Sequence, residues 1–209
     1  MEYIKMINTS KIIKKVKILD NINLSVKHGE LVSIIGPNGS GKSMLLRTIA
    51  GLTPYTNGDI NVNGQVIGKE IEHPLDVGIL IENPVFIDEL TAFDNLKLLA
   101  SIKNIVSYEQ IEEVLNLIGL KNNKNTKLKK FSLGMKQRLG LAQALMESPK
   151  LLILDEPTNT LDEEGIELIK TILIEEKNKG TTIIITSHDK EFVNQISDKT
   201  LYISEGKIK

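Results

Sequence analysis

The chain has 209 residues, 41% of them apolar, enough for one well-buried core with room for a modest subdomain. Lys plus Arg is 26 against 27 Asp plus Glu, a net charge of −1 that argues against a nucleic-acid binder, and cysteine is absent, which excludes disulfides and thiolate metal centres. Met1-Glu2-Tyr3-Ile4-Lys5-Met6 lacks the apolar core of a secretion signal and no apolar run approaches the ~20 residues of a membrane span, so a soluble, cytosolic chain is expected.

Lys17-Ile18-Leu19 through Asn23-Leu24-Ser25-Val26 reads as a strand, and Lys27-His28-Gly29-Glu30 turns into the apolar strand Leu31-Val32-Ser33-Ile34-Ile35. That strand hands over through Gly36-Pro37-Asn38-Gly39-Ser40-Gly41-Lys42-Ser43 to a helix beginning Met44-Leu45-Leu46-Arg47. Strand, glycine loop and helix together are the setting of a Walker A phosphate loop. Gly36, Gly39 and Gly41 keep side chains away from the backbone N–H groups, and the helix end aims free amides and a positive dipole at the same point. Lys42 supplies a point charge for the β and γ phosphates, and Ser43 a hydroxyl for Mg²⁺. A glycine turn with an exposed lysine is the plainer reading; the strand before and helix after disfavour it.

Gly58-Asp59-Ile60-Asn61-Val62-Asn63-Gly64 alternates and closes on Asn-Gly, a hairpin signal. Gly78-Ile79-Leu80-Ile81 is a short buried strand. Asp94 to Lys103 is rich in Leu and Ala, and Ser107-Tyr108-Glu109-Gln110 is a capping box opening a helix with Ile111, Val114, Leu115 and Ile118 on one face and Gly119 at its end. A further helix is expected from Gly134 to Met146, then strand (Leu151-Leu152-Ile153-Leu154), helix (Gly165 to Lys179) and strand (Thr181 to Thr186). Strands alternating with helices in the outer thirds predict a parallel sheet with crossovers, and the middle third reads as a helical insert. Leu151-Leu152-Ile153-Leu154 ends in Asp155-Glu156-Pro157, which presents two carboxylates at the mouth of the sheet. Asp155 is suited to hold Mg²⁺ and Glu156 to orient or deprotonate an attacking water.

Phe131-Ser132-Leu133-Gly134-Met135-Lys136-Gln137-Arg138 stands ahead of a helix and shortly before the acidic strand. With these residues the chain resembles the ATP-binding cassette (ABC) ATPases over essentially its whole length. The landmarks fall in the family's order: Walker A at residues 36–43, signature around Ser132 and Gly134, Walker B at residues 151–156, a D-loop at Asn159-Thr160-Leu161-Asp162, and a switch histidine, His188. The resemblance implies an α/β P-loop NTPase core with a mostly parallel sheet, an antiparallel β subdomain and an inserted helical subdomain over about residues 86–148, the whole chain being one nucleotide-binding domain. It also implies ATP and Mg²⁺ as cofactors, with the nucleotide held by residues 36–44 (Gly36, Pro37, Asn38, Gly39, Ser40, Gly41, Lys42, Ser43 and Met44). Ser132 and the Gly134 N–H of a second domain, in a homodimer or heterodimer, would meet the γ-phosphate. Lys42, Glu156 and His188 would then be catalytic, and Ser43 and Asp155 would hold the metal.

Several residues depart from the family pattern. The signature is usually Leu-Ser-Gly-Gly-Gln; Phe131, Leu133 and Met135 differ, while Ser132 and Gly134 remain. The position of the adenine-stacking aromatic is occupied by Ile13, where an aliphatic contact weakens base selection. Glu82 stands where the family places a glutamine that senses metal and couples to a membrane partner, so a further carboxylate is expected beside the ion. Ile81-Glu82-Asn83-Pro84 resembles the branch that exports, or protects against, bacitracin and lantibiotic-type peptides. The resemblance implies an ATPase subunit at the inner face of the cell membrane, working with a separate integral membrane subunit and without nucleic acid. A soluble ABC ATPase of a cofactor-assembly complex is the second reading. His28 and His73 read as solvated loop residues, and Lys121, Lys124, Lys127, Lys129 and Lys130 as a solvated basic loop, with anionic headgroups as the alternative.

Overall fold

In the computed structural model, which describes residues 1–209, two sheets and six α-helices pack in layers. β1 (Glu2–Ile13) and β2 (Val16–Lys27) pair antiparallel, and β4 (Asn57–Val62) continues on the other side of β1 and turns at Asn63-Gly64 into β5 (Gln65–Val66). Asn63 and Gly64 both lie at positive φ, 50° and 87°, as the tight turn requires. β1 was not expected from the sequence, and the reason is visible in its pairing. Its register with β2 slips at four points and Asn8 sits at φ 49°, so the chain never shows the clean two-residue alternation by which a strand is read.

The second sheet runs in the order β10-β9-β3-β8-β7-β6, where β3 is Leu31–Ile35, β6 Val77–Leu80, β7 Leu151–Asp155, β8 Thr182–Thr186, β9 Lys199–Ser204 and β10 Lys207–Ile208. All neighbouring pairs are parallel except β9 with β10. A parallel sheet is covered on both faces, which explains why β3, β7 and β8 are near-continuous apolar runs. Alternate residues feed two different cores. Leu31, Leu152, Leu154, Ile183 and Ile185 join a cluster with α2 (Ala92–Lys103), α3 (Tyr108–Leu117), α4 (Leu133–Leu145), α5 (Glu163–Asn178) and α6 (Lys190–Ile196). Val32, Ile34, Leu151, Ile153 and Ile184 join a second cluster with α1 (Lys42–Ile49) and the antiparallel sheet.

Helix ends obey local chemistry. Ser107 and Gln110 close the capping box of α3, and Asp162 caps α5 by accepting the Gly165 N–H at 2.9 Å. The helices of the middle third, α2 to α4, lie between β6 and β7, and α4 crosses β6 closely. A Cβ placed on Gly78 would sit 2.0 Å from the carbonyl oxygen of Ala144. We therefore expect Gly78→Ala to cost about 3 kcal/mol through forced backbone movement; an unchanged urea midpoint would contradict so close a crossing.

Candidate active site

The loop of residues 36–43 is wedged between two strands. A Cβ on Gly36 would meet the Ile203 carbonyl oxygen of β9 at 2.1 Å, and one on Gly41 would meet the Ile18 carbonyl oxygen of β2 at 3.0 Å. Gly41 also takes φ 107°, which L side chains rarely adopt. The loop is fastened from within by Ser40 N–H to the Pro37 carbonyl (3.2 Å) and from outside by Gly206 N–H to the Ser40 carbonyl (3.0 Å). Its lip is open: Pro37, Asn38 and Gly39 are exposed, and nothing lies within 4 Å of a Cβ on Gly39. Lys42 is buried, and its ammonium donates to the carbonyls of Gly36 (2.9 Å) and Pro37 (3.4 Å). The buried Ser40 Oγ has no hydrogen-bond partner, which fits a loop that receives the acceptor oxygens of a phosphate. Ser43 and Met44 are half-buried in the first turn of α1, and Met44 packs against the second core.

The acids are placed by the register of β7 with β8, in which Asp155 lies opposite Thr186. The Thr186 hydroxyl donates to Asp155 Oδ1, while Thr186 Oγ1 (3.0 Å) and the Thr186 carbonyl (3.2 Å) both receive the Glu156 N–H. Glu156 takes φ 48°, an uncommon conformation for a residue with a Cβ, and these bonds hold it there. Its carboxylate is thereby set between two candidates far away in sequence. Oε1 is 3.8 Å from the Lys42 ammonium, and Oε2 is 2.8 Å from His188 Nδ1 and 3.2 Å from the His188 N–H. The structure thus brings Lys42, Glu156 and His188 into one cluster beside Asp155. Such an arrangement can hold a proton-accepting carboxylate near a phosphate-binding loop.

Other expected residues lie elsewhere. Ser132 caps α4, its side chain accepting the Met135 N–H at 3.1 Å, and no hydrogen bond links it or Gly134 to residues 36–43. Both line a separate groove of about 380 Å³ with Thr160, Leu161 and Asp162. Ile13 ends β1 and is 40% exposed. Glu82, at φ 61° just past β6, has its carboxylate in an ion pair with Arg47 of α1. His28 and His73 are exposed, His28 edge-on to Tyr3. Lys124 pairs with Glu112, and Lys127 and Lys129 with Glu89, so much of the basic run is answered by acids from other elements.

Two residues of the site were not foreseen. Thr186 looked like the end of an apolar strand, and only the neighbouring β7 reveals its hydroxyl as the tie on both acids. Gln137, buried in α4, donates from Nε2 to the carbonyls of Glu156 (3.2 Å) and Pro157 (3.4 Å), carrying the signature helix to the back of the acidic turn. Thr186→Val keeps the shape but leaves a buried Asp155 oxygen unpaired. A stability loss of about 1–3 kcal/mol is expected by denaturant titration, together with reduced turnover; a variant as stable and as active as the wild type would contradict this placement.

Residues 19–159 match the family model described as ABC transporter. The uncharacterized ABC transporter ATP-binding protein YybJ of Bacillus subtilis is 45% identical over 98% of this chain and 94% of its own length. The lantibiotic transport ATP-binding protein SrtF of Streptococcus pyogenes is 41% identical over 98% of this chain and 88% of its own. The dimeric structure of MJ0796, a bacterial ABC transporter cassette, superposes with a TM-score of 0.89 at 27% identity, covering 99% of this chain and 96% of that one. A second dimeric structure of MJ0796, in a post-hydrolysis state bound to ADP and Pi, gives a TM-score of 0.86 at 26% identity over the same shares of the two chains. The chain belongs to the ABC transporter family and is one of its ATP-hydrolysing subunits.

Proposed function

We propose that this chain powers the outward transport of an antimicrobial peptide or drug through a separate integral membrane protein, from the cytoplasmic face of the membrane. The observation that carries the ATP-driven part of the reading is the Lys42–Glu156–His188 cluster at the mouth of the sheet, with Ser132 and Gly134 in a different groove of the same chain. In this reading one copy holds half of what a bound triphosphate needs, and two nucleotide-binding domains, identical or different, face each other. The similarity to a lantibiotic transport protein along almost the whole chain supports transport of a peptide of that class and disfavours a soluble cofactor-assembly complex. No helix is long and apolar enough to cross a membrane, and in this reading the translocation path is supplied by a partner.

In this reading the whole chain is one nucleotide-binding domain, with its helical subdomain over about residues 86–148. The N–H groups of residues 36–44 and the Lys42 ammonium bind the β and γ phosphates, and Ile13 lies against the base. Ser43 and Asp155 hold Mg²⁺, which offsets the charge of the phosphate oxygens. Glu156 accepts the proton of the attacking water, and His188, bonded to Glu156 Oε2, reports the γ-phosphate. Ser132 and Gly134 of the second copy complete the anion site from a helix N-terminus. Glu82 is paired with Arg47, and joining the metal would require it to leave that pair. The partner docks at residues 82–96, beside a groove of about 470 Å³ lined by Arg47, Leu52 and Val85, the last 92% exposed.

Glu156→Gln is expected to keep ATP binding, lower turnover by at least ~100-fold and trap an ATP-dependent dimer; full turnover would remove Glu156 from the role of base. Expressed with its membrane partner in a peptide-sensitive host, the wild-type chain should co-purify with that partner and confer resistance, and Glu156→Gln should abolish the resistance alone. Stable complexes with soluble proteins only would oppose transport.

A further inference from the structure

The segment that follows Glu82 is fastened directly to the loop that carries the signature. Lys129 Nζ lies 3.1 Å from both carboxylate oxygens of Glu89, and Lys127 Nζ 3.4 Å from one of them. Lys136, in the first turn of α4 behind Ser132, donates to Asp88 at 3.0 Å. The backbones are joined as well: Lys129 N–H to the Asp88 carbonyl (3.1 Å), Leu128 N–H to Leu90 (3.0 Å), Ala92 N–H to Thr126 (3.2 Å) and Phe93 N–H to Lys124 (3.0 Å). Leu128 between them is fully buried. One turn along α4 from Lys136, a Cβ on Gly140 would sit 2.8 Å from Pro84, so one face of the signature helix rests on this segment at two points. Along the chain the two segments are separated by α2 and α3; in space they touch.

We propose that Asp88 and Glu89 are positioning residues for ATP hydrolysis, locking the segment after Glu82 to the Ser132 end of α4 so that movement imposed on one is delivered to the other. The inference rests on the reading of Ser132 as the contact for the second copy's nucleotide. Lys127 and Lys129 of the basic run, together with Lys136, form the other half of the lock. Single exposed ion pairs are weak and salt-screened. Here they act on two segments already joined by four backbone bonds, where they set the place of the helix end rather than its existence.

Reversing one charge separates this role from simple folding. In a Glu156→Gln background, Glu89→Lys sets like charges against Lys127 and Lys129 and should weaken ATP-driven dimerisation about tenfold by sedimentation. Affinity of the monomer for a fluorescent ATP analogue should stay within twofold. Adding Lys127→Glu and Lys129→Glu should restore dimerisation. Undisturbed dimerisation in Glu89→Lys, or failure of the triple reversal to restore it, overturns the proposal. Ser132→Ala in parallel locates the fault: if it too dimerises normally, the reading of Ser132 falls, and the proposal with it. Because the chain has no cysteine, Thr91→Cys with Lys127→Cys creates a single reducible bridge at the paired positions Thr91 and Lys127. Equal ATPase rates before and after reduction are expected of segments that move together. A tenfold loss on oxidation would show that they must part, and would overturn the lock.

Discussion

The site depends on one cross-strand pairing, Asp155 of β7 against Thr186 of β8. Through it a single buried hydroxyl satisfies a carboxylate on one residue and the backbone N–H of the next. A buried carboxylate is tolerated only when hydrogen-bonded, and a non-glycine residue at positive φ persists only when its surroundings enforce it. Thr186 meets both needs. Glu156 is consequently aimed away from the sheet, toward Lys42 on one side and His188 on the other. Without that pairing the strand tip would be two acids at the start of a loop.

The two cores give this pairing its rigidity. Side chains of β3, β7 and β8 alternate between the helical core and the core shared by α1 and the antiparallel sheet. A slip of one residue would send every side chain to the wrong face, so the register of Asp155 with Thr186 is fixed by burial along the strands. The loop of residues 36–43 is held to the same frame by close approaches at Gly36 and Gly41. The signature helix α4 reaches the acids through Gln137 and the segment after Glu82 through Lys136. One helix therefore touches the acidic turn, the proposed docking segment and the groove proposed to face a second copy.

Much of this was legible in the chain because it is written locally. Apolar runs gave β3, β7 and β8, the capping box gave α3, and Gly36 to Ser43 between an apolar strand and a helix pointed to a phosphate loop. What stayed hidden depends on contacts between distant residues or on broken periodicity. β1 is bulged; β9 lies next to the sheet edge with Ile203 as its one buried residue, and α6 spans only Lys190–Ile196, so neither shows a full apolar pattern. Thr186 and Gln137 disclose their roles only across neighbouring elements. The pairing of Glu82 with Arg47, and of the basic loop with Glu89, likewise joins residues whose charges look unattached in sequence. The resemblance supplied the order of motifs; the structure supplied their geometry.

The central claim is that a working site is assembled from the phosphate loop of one copy and the Ser132 helix end of another. Mixing two inactive chains tests it most directly, one carrying Lys42→Ala and the other Ser132→Ala. A mixed pair restores one site with an intact loop facing an intact serine, so ATPase activity should appear in the mixture that neither chain shows alone. A mixture no more active than the sum of its parts would contradict the account.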